Sequence, residues 1–160
     1  MVDSSIIRVH QHGMRSGEKK AEQGIGKTRG GWGTKIHAVV DGMGYPIGLK
    51  ITEGQISDCT IAIALLSERD SEHVIADKGY DTNKIREYLR VTQRKAVIPN
   101  NANRSMKYEY DVHVYRERYL VENHFLRIKE WRRIATRYEK TLRMFQGMVT
   151  LGCVLIWLMF

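Results

Sequence analysis

A β-hairpin followed by alternating helices and strands limits this chain of 160 residues to a small number of architectures. Apolar alternation predicts a first strand over residues 2–12 and a hairpin over residues 32–52, which turns at Asp41-Gly42-Met43-Gly44. Helices are then expected over 58–68 and 82–91, and short strands over 73–76 and 95–99. This order predicts an α/β fold whose mixed sheet has three antiparallel and two parallel strands flanked by helices.

Three further segments have their own expected roles. Residues 13–33 are rich in glycine and basic residues, which predicts a flexible basic loop. A long helix is expected over residues 110–131, and an apolar C-terminal helix over residues 141–160. A membrane span needs about 20 apolar residues, so the last helix is expected to be buried in the core. If it is exposed, it would form a surface for dimerisation or aggregation.

Positive charge is concentrated in the second half of the chain. The net charge is +8, from 26 Lys and Arg against 18 Asp and Glu, and residues 86–143 carry the whole excess. Localised positive charge favours nucleic acid as a partner, and a solvated basic face is the alternative. The two cysteines, Cys59 and Cys153, form neither a disulfide framework nor a zinc cluster, which favours a reducing cytoplasm.

Three acidic residues lie where a metal site would use them. Asp3 begins the first strand, Asp77 follows the strand over residues 73–76, and Glu122 lies inside the long helix. Carboxylates brought together repel one another, and a divalent cation relieves that repulsion. Oxygen ligands of this kind select Mg²⁺ or Mn²⁺. The alternative for Asp77 is a helix cap or turn acid.

The long helix carries a stripe of polar side chains. If the helix is continuous, Tyr115, Arg118, Glu122 and Lys129 lie within about 60° of one another around its axis. Such a stripe would hold a metal ion at Glu122 while Arg118 and Lys129 bind backbone phosphates. The alternative is a solvated helix face with ion pairs.

Basic and aromatic residues alternate after this stripe. Arg127, Arg132 and Arg133 are candidates for phosphate contacts, and Trp131 and Tyr138 either stack on bases or pack within the protein.

Several motifs together resemble the bacterial insertion-sequence DDE transposases, in the insertion-sequence-five branch of the insertion-sequence-four/five superfamily. The spacing Tyr115-x2-Arg118-x3-Glu122-x6-Lys129 matches that family's helix motif at all four positions. The runs Asp77-Lys78-Gly79-Tyr80-Asp81 and Asp3-Ser4-Ser5 resemble its second and first aspartate motifs. The runs Thr34-Lys35-Ile36-His37 and Ile134-Ala135-Thr136-Arg137-Tyr138 also resemble this branch, so the likeness covers essentially the whole chain.

The resemblance implies a ribonuclease-H-like fold and a single catalytic domain over residues 1–160. It implies that Asp3, Asp77 and Glu122 form a triad binding two Mg²⁺ or Mn²⁺ ions. It also implies that Tyr115, Arg118 and Lys129 support the site and contact transposon-end DNA.

The activity implied is Mg²⁺-dependent DNA cleavage at transposon ends and strand transfer into target DNA. A homodimer in the synaptic complex, an upstream-frame product as a further partner and a place at the bacterial nucleoid in the cytoplasm are expected, without membrane association. Relatives carry an N-terminal DNA-binding region before the first aspartate, and this chain starts two residues before it. The alternatives are a truncated, inactive DNA-binding remnant and another metal-dependent nuclease of the same fold.

Overall fold

Strands in the first half of the chain are followed mainly by helices in the second. The computed structural model describes residues 1–14 and 20–159. Within them the strands are β1 Val2–Val9, β2 Gly26–Thr28, β3 Gly31–Val40, β4 Pro46–Glu53, β5 His73–Ile75, β6 Lys95–Val97 and β7 Thr136–Arg137. The helices are α1 Asp58–Ser67, α2 Asn83–Val91, α3 Val112–Arg116, α4 Tyr119–Lys129, α5 Arg132–Ala135 and α6 Leu142–Leu158.

The larger sheet is organised around β3, which is buried over its last eight positions. β1 pairs antiparallel with β3, with Asp3 opposite Ala38. β4 and the short β2 also pair antiparallel with β3. β7 pairs parallel with the far end of β1, through Arg8 and Thr136. The three antiparallel strands β1, β3 and β4 match the sequence-based prediction.

The other two predicted strands form a separate sheet. β5 and β6 pair in parallel, joined through α2, as the alternation of helices and strands predicted. The prediction that all five strands share one sheet was wrong. Among the described residues, β5 forms its strand hydrogen bonds with β6 and not with β1. β7 was not predicted, since a two-residue strand has no periodicity to recognise. The α/β class itself is confirmed.

Two apolar clusters cover the faces of the larger sheet. The alternation of β1 sends Ile7 toward α4 and α6, where it meets Val121, Phe125 and Phe145. Val2 lies in the other cluster, which α1 and α2 complete with Leu65, Ile85 and their neighbours. β1 is therefore packed between helices on both faces of the sheet. Its polar residues Asp3, Ser4 and Ser5 lie between the apolar residues Val2 and Ile7.

Part of the segment predicted as a flexible loop is regular structure. A 3₁₀ turn spans Lys20–Gln23, β2 follows, and β3 begins at Gly31. The prediction of a loop across residues 13–33 is wrong for this part, because β2 pairs with the start of β3 and supplies hydrogen bonds that the sequence pattern did not reveal. Residues 15–19 of that segment lie outside the described residues.

The single long helix expected over residues 110–131 is divided. The side chain of Asp111 caps α3 by accepting the N–H groups of His113 and Val114. α3 ends at Arg116, and the backbone then passes through Glu117 and Arg118 with i to i+3 hydrogen bonds before α4 begins. These tighter bonds turn the chain by more per residue than an α-helix does. The stripe therefore extends over two helices.

The C-terminal helix begins as predicted, and Thr141 caps it by accepting the N–H of Met144. Phe145, Val149 and Ile156 bury one face against the sheet. Another face leaves Leu151 and Leu158 exposed, so the expectation of a fully buried helix was only half right. No helix among the described residues has the length and apolar character needed to cross a membrane.

Candidate active site

Asp3 lies near the start of β1, on the face that α4 covers. Its side chain is 21% exposed. One carboxylate oxygen accepts the backbone N–H of Ser4 at 2.8 Å. The other oxygen accepts a hydrogen bond from the Arg118 guanidinium at 3.1 Å. The carboxylate is thus fixed from both sides at the edge of the apolar core.

Arg118 joins two of the three acidic residues that the sequence singled out. From the turn between α3 and α4, its guanidinium contacts Asp3 and also forms an ion pair with Glu122 one helical turn later. Although burial lowers the pKa of Arg118, the charges of Glu122, Tyr115 and Asp3 raise it above its usual value. Arg118 is therefore a permanent cation between two carboxylates that are 119 positions apart in sequence.

Asp77 follows β5 and begins a 3₁₀ turn over Lys78–Tyr80. Its Oδ1 accepts the backbone N–H of Gly79 at 2.8 Å. A Cβ on Gly79 would come within 3.0 Å of that oxygen, so glycine fits closely at this position. The turn-acid interpretation is correct for this oxygen. The charge of Asp77 also acts on Asp3 and on Arg118, so all three acids lie in one electrostatic neighbourhood.

Several carboxylates place negative charge around Asp3. Burial raises the pKa of Asp3 above its usual range, and Asp77 and Asp58 raise it further, against the lowering effects of Ser4 and Arg118. Tyr80 is 2% exposed, and its hydroxyl has no hydrogen-bond partner among the described residues. Burial raises the pKa of Tyr80, and Asp58, Asp3 and Asp77 add to that rise. A cation placed here would be stabilised by every one of these carboxylates.

The donor atoms suit a hard divalent cation, since carboxylates from three chain segments act on Asp3 or on Arg118 here. In the described part of the chain, however, no three His, Cys, Asp or Glu side chains are placed to hold one ion. The Arg118 guanidinium lies between Asp3 and Glu122. The residues fit a metal ion in their chemistry, and Arg118 provides the positive charge in this arrangement.

Two other members of the predicted stripe lie beside the acids. The Lys129 ammonium donates to the Ser5 hydroxyl at 2.6 Å, two residues along β1 from Asp3. Burial lowers the pKa of Lys129. Tyr115 is half-buried on α3, packs edge-on against Tyr110 and acts electrostatically on Arg118. Although the helix is broken, the members of the stripe stay near β1 or near one another. They are Tyr115, Arg118, Glu122 and Lys129.

The three further arginines lie elsewhere. Arg127 lines a cavity of about 230 Å³ with Gly44 and His124, on another side of α4. Arg132 and Arg133 flank an apolar cavity of about 230 Å³ between α5 and α6. Arg133 is paired with Glu139 at 2.7 Å. Within the described part of the chain, Arg132 and Arg133 show no contact with the acidic neighbourhood, and the role of all three arginines in DNA binding stays a prediction.

Sequence reasoning missed the partners of the acids. The Arg118–Glu122 pair has a sequence signal, since oppositely charged residues four apart face each other on a helix. The Arg118–Asp3 contact has none, because it joins positions 115 residues apart. The sequence showed Asp81 only as the end of the second aspartate motif and indicated no partner for it, yet its buried carboxylate is bound by Arg86 at 2.7 Å and Arg104 at 2.8 Å.

Comparisons with known proteins give the family of the chain. The family model described as a transposase DDE domain matches residues 1–158. A protein of Brucella ovis named "Putative transposase for insertion sequence element IS6501" is 43% identical over 127 residues, covering 78% of this chain and 98% of that protein. The corresponding protein for element IS402, from Burkholderia cepacia, is 26% identical over 136 residues. That match covers 78% of this chain and 62% of the Burkholderia protein.

No solved structure matches the chain significantly. The family model nevertheless spans nearly the whole sequence. The chain belongs to the DDE transposases of bacterial insertion sequences.

Proposed function

We propose that this chain cleaves DNA at the ends of an insertion sequence in a Mg²⁺-dependent reaction and then joins those ends to target DNA. The observation that supports the proposal is that Arg118 contacts Asp3 and Glu122 and is acted on by the charge of Asp77. These residues come from three separate segments, and nothing in the packing of β1 or α4 requires acids there. Family membership supports the same activity.

Asp3, Asp77 and Glu122 are the proposed ligands of two Mg²⁺ or Mn²⁺ ions. Such ions supply activation of the attacking oxygen and stabilisation of the leaving oxygen in an in-line displacement. For Asp3 and Glu122 to serve as ligands, Arg118 has to give up its contacts with them. DNA offers Arg118 phosphate oxygens in exchange, so metal binding and DNA binding would favour each other.

The remaining residues bind and position DNA. Lys129 lies beside Asp3 on the face of β1 that carries the acids, where its ammonium reaches a phosphate near the cleaved bond. Tyr115 would support Arg118 as it moves toward DNA. Arg127, Arg132 and Arg133 would contact DNA farther from the acids, where they are at least partly exposed.

The proposal extends to the arrangement of the protein. The antiparallel unit of β1, β3 and β4, followed by α1, β5, α2 and β6, supports a ribonuclease-H-like fold acting as one catalytic domain over residues 1–160. We place the protein at the bacterial nucleoid as a homodimer that brings two transposon ends together. An upstream-frame product is a further partner consistent with the greater length of the Burkholderia relative.

The test uses the unmodified chain and DNA that carries the terminal repeats of its element. With Mn²⁺ present, we expect nicking at the repeats and joining of pre-cleaved ends to a target plasmid. Nicking without joining would indicate another metal-dependent nuclease of the same fold. DNA retention without either product would overturn the proposed catalysis.

One observation favours a second candidate, a DNA-binding remnant without activity. In the residues that the structure describes, the acids do not form a ready metal cluster, and Arg118 is paired with two of them. A remnant would keep this closed arrangement on DNA. Addition of Mn²⁺ would then change neither its DNA affinity nor its products.

A further inference from the structure

A polar cluster lies beside Asp3 on the opposite face of β1, and the proposed chemistry does not use it. The cluster is built around the carboxylate of Asp58 at the start of α1. Its members, here called the Asp58 cluster, are Ser4, Lys35, His37, Thr52 and Asp58.

Burying these groups carries a cost that packing alone does not explain. Lys35 is 8% exposed and His37 is 1% exposed, both on β3. The Lys35 ammonium donates to the Ile56 carbonyl at 2.7 Å and lies 3.0 Å from Asp58. The His37 ring is 2.8 Å from the Thr52 hydroxyl and 3.6 Å from Asp58. Apolar residues would fill a sheet face at lower cost than a lysine and a histidine.

The cluster is linked to Asp3 through one residue. The Ser4 hydroxyl donates to Asp58 Oδ1 at 2.6 Å, while the Ser4 backbone N–H donates to Asp3 Oδ1 at 2.8 Å. Because neighbouring residues of a strand point to opposite faces, the Asp58 cluster fixes Ser4 from one side and Ser4 fixes Asp3 from the other. The Ser4 peptide group thus provides one of the two contacts that orient the Asp3 carboxylate, and Arg118 provides the other.

We propose that Ser4 and Asp58 are positioning residues that hold the Asp3 carboxylate in the orientation needed to bind the metal ion. This inference rests on the proposed function of Asp3. It goes beyond it, since neither Ser4 nor Asp58 belongs to the acidic triad or to the helix stripe. Lys35 holds Asp58 in turn through their ion pair, which accounts for its burial on β3.

The alternative is that the cluster only stabilises the fold. The hydrogen bond from Ser4 to Asp58 is a minor part of what holds β1, because β1 also pairs with β3 over seven positions and with β7 over two. Removing the Ser4 hydroxyl should therefore leave β1 in place and change the freedom of the Ser4 peptide. A purely structural role predicts lower thermal stability with unchanged metal affinity.

The experiment measures Mn²⁺ binding to the full chain without DNA, by electron paramagnetic resonance of the free ion. We compare the unmodified protein with Ser4→Ala, Ser4→Thr and Asp58→Asn. Ser67→Ala is the matched control, because the hydrogen bond that the Ser67 hydroxyl makes lies within α1, to the Ala64 carbonyl. Circular dichroism establishes that each variant is folded, and DNA retention without metal is measured in parallel.

We expect Ser4→Ala and Asp58→Asn to weaken Mn²⁺ binding by about tenfold or more, as removal of groups that orient metal ligands does elsewhere. Ser4→Thr should restore most of the affinity because it keeps the hydroxyl, and Ser67→Ala should change nothing. DNA retention without metal should stay the same in all variants. If Asp58→Asn does not fold, Ser4→Ala and Ser4→Thr decide the question.

Unchanged Mn²⁺ affinity in folded Ser4→Ala overturns the inference. To separate this outcome from a failure of the proposed function, Glu122→Gln is measured in the same series. If Glu122→Gln weakens Mn²⁺ binding while Ser4→Ala does not, the metal site stands and only the positioning role is wrong. If the unmodified protein binds no Mn²⁺, or Glu122→Gln leaves binding unchanged, the proposed function and this inference both fail.

Discussion

Arg118 provides the positive charge around which the acidic residues gather. Its guanidinium pairs with Asp3 and Glu122, and it lies within the field of Asp77. Three carboxylates in one place would repel one another without a cation, so the arginine stabilises the arrangement before any metal ion arrives. The same contacts occupy oxygens that the metal ion would need.

Replacing Arg118 with alanine should separate metal binding from catalysis. We expect Arg118→Ala to bind Mn²⁺ more tightly without DNA, by about tenfold, because removal of a competing cation leaves the acids unpaired. Its cleavage of DNA should fall, since a phosphate contact is also lost. The affinity is measured by titration with Mn²⁺ and the cleavage by nicking of supercoiled DNA. Weaker Mn²⁺ binding in Arg118→Ala would contradict the role of Arg118 as a competing cation.

His124 is a buried histidine whose two ring nitrogens both lack a partner among the described residues. Burial lowers its pKa to about 4, and the charge of Arg127 adds to the effect. In the unfolded chain its pKa is about 6.5. The unfolded state therefore binds more protons between these values, and stability falls as the pH drops from about 6.5 toward 4.

Replacing His124 with leucine should remove part of this pH dependence. Between pH 7 and pH 5 we expect His124→Leu to lose about 1–2 kcal/mol less stability than the unmodified protein. His37, whose pKa burial also lowers to about 4, should keep the remaining dependence in both proteins. Urea unfolding at the two pH values measures the difference. Equal losses in the two proteins would contradict the assignment.

Individual residues show how much of this candidate site could be predicted from the sequence. The acids were recognisable from their positions at the start of a strand, after a strand and on a helix. Their partners were not, because the contacts of Asp3 with Arg118 and of Ser4 with Asp58 join positions far apart in the chain. Only a pair at helical spacing, such as Arg118 and Glu122, carries a local signal.

At the scale of elements, local patterns located most strands and helices but not how they combine. The apolar alternation of β1, β3 and β4 and the caps of α2 and α6 are local signals, and the structure confirms those elements. The break before α4 and the strand β7 depend on contacts with the rest of the protein. Local periodicity therefore predicted one helix where the chain forms two.

The exposed face of α6 carries apolar residues spaced alternately four and three apart, as in a coiled coil. Its members are Met144, Met148, Leu151, Leu155 and Leu158. We expect this face to pack against α6 of a second copy.

Placing lysines on this face should abolish the association. We expect the Leu151→Lys, Leu155→Lys double variant to be a monomer in light scattering at a concentration where the unmodified protein is a dimer. Gln146→Lys, which adds a charge to another exposed position of the same helix, is the control and should stay dimeric. A monomeric unmodified protein, or a dimeric double variant, would show that α6 does not form this interface.

At the scale of the whole molecule, the basic residues serve two purposes. Some neutralise buried acids, as Arg86 and Arg104 do at Asp81. Others lie near the acidic site or remain exposed, as Lys129 and Arg132 do. The net charge of +8 therefore overstates the number of groups available to DNA, which composition alone did not reveal.

Lys129 tests the DNA-binding part of the account. We expect Lys129→Ala to weaken retention of DNA of any sequence and to reduce the slope of log affinity against log salt by about one, because one phosphate contact is lost. Filter binding at several salt concentrations measures both quantities. An unchanged slope would mean that Lys129 serves only to hold Ser5 on β1.

The most direct test of the central claim is the nicking of supercoiled DNA that carries the terminal repeats. The assay compares the Glu122→Gln variant with the unmodified chain in the presence of Mn²⁺. If Glu122 is a metal ligand, nicking falls by at least about a hundredfold, since a metal ion contributes several kcal/mol to the barrier reduction. Retention of DNA without metal does not fall, because Glu122 is a proposed metal ligand and not a phosphate contact. A Glu122→Gln protein that nicks as fast as the unmodified chain would contradict the assignment of the acidic residues to catalysis.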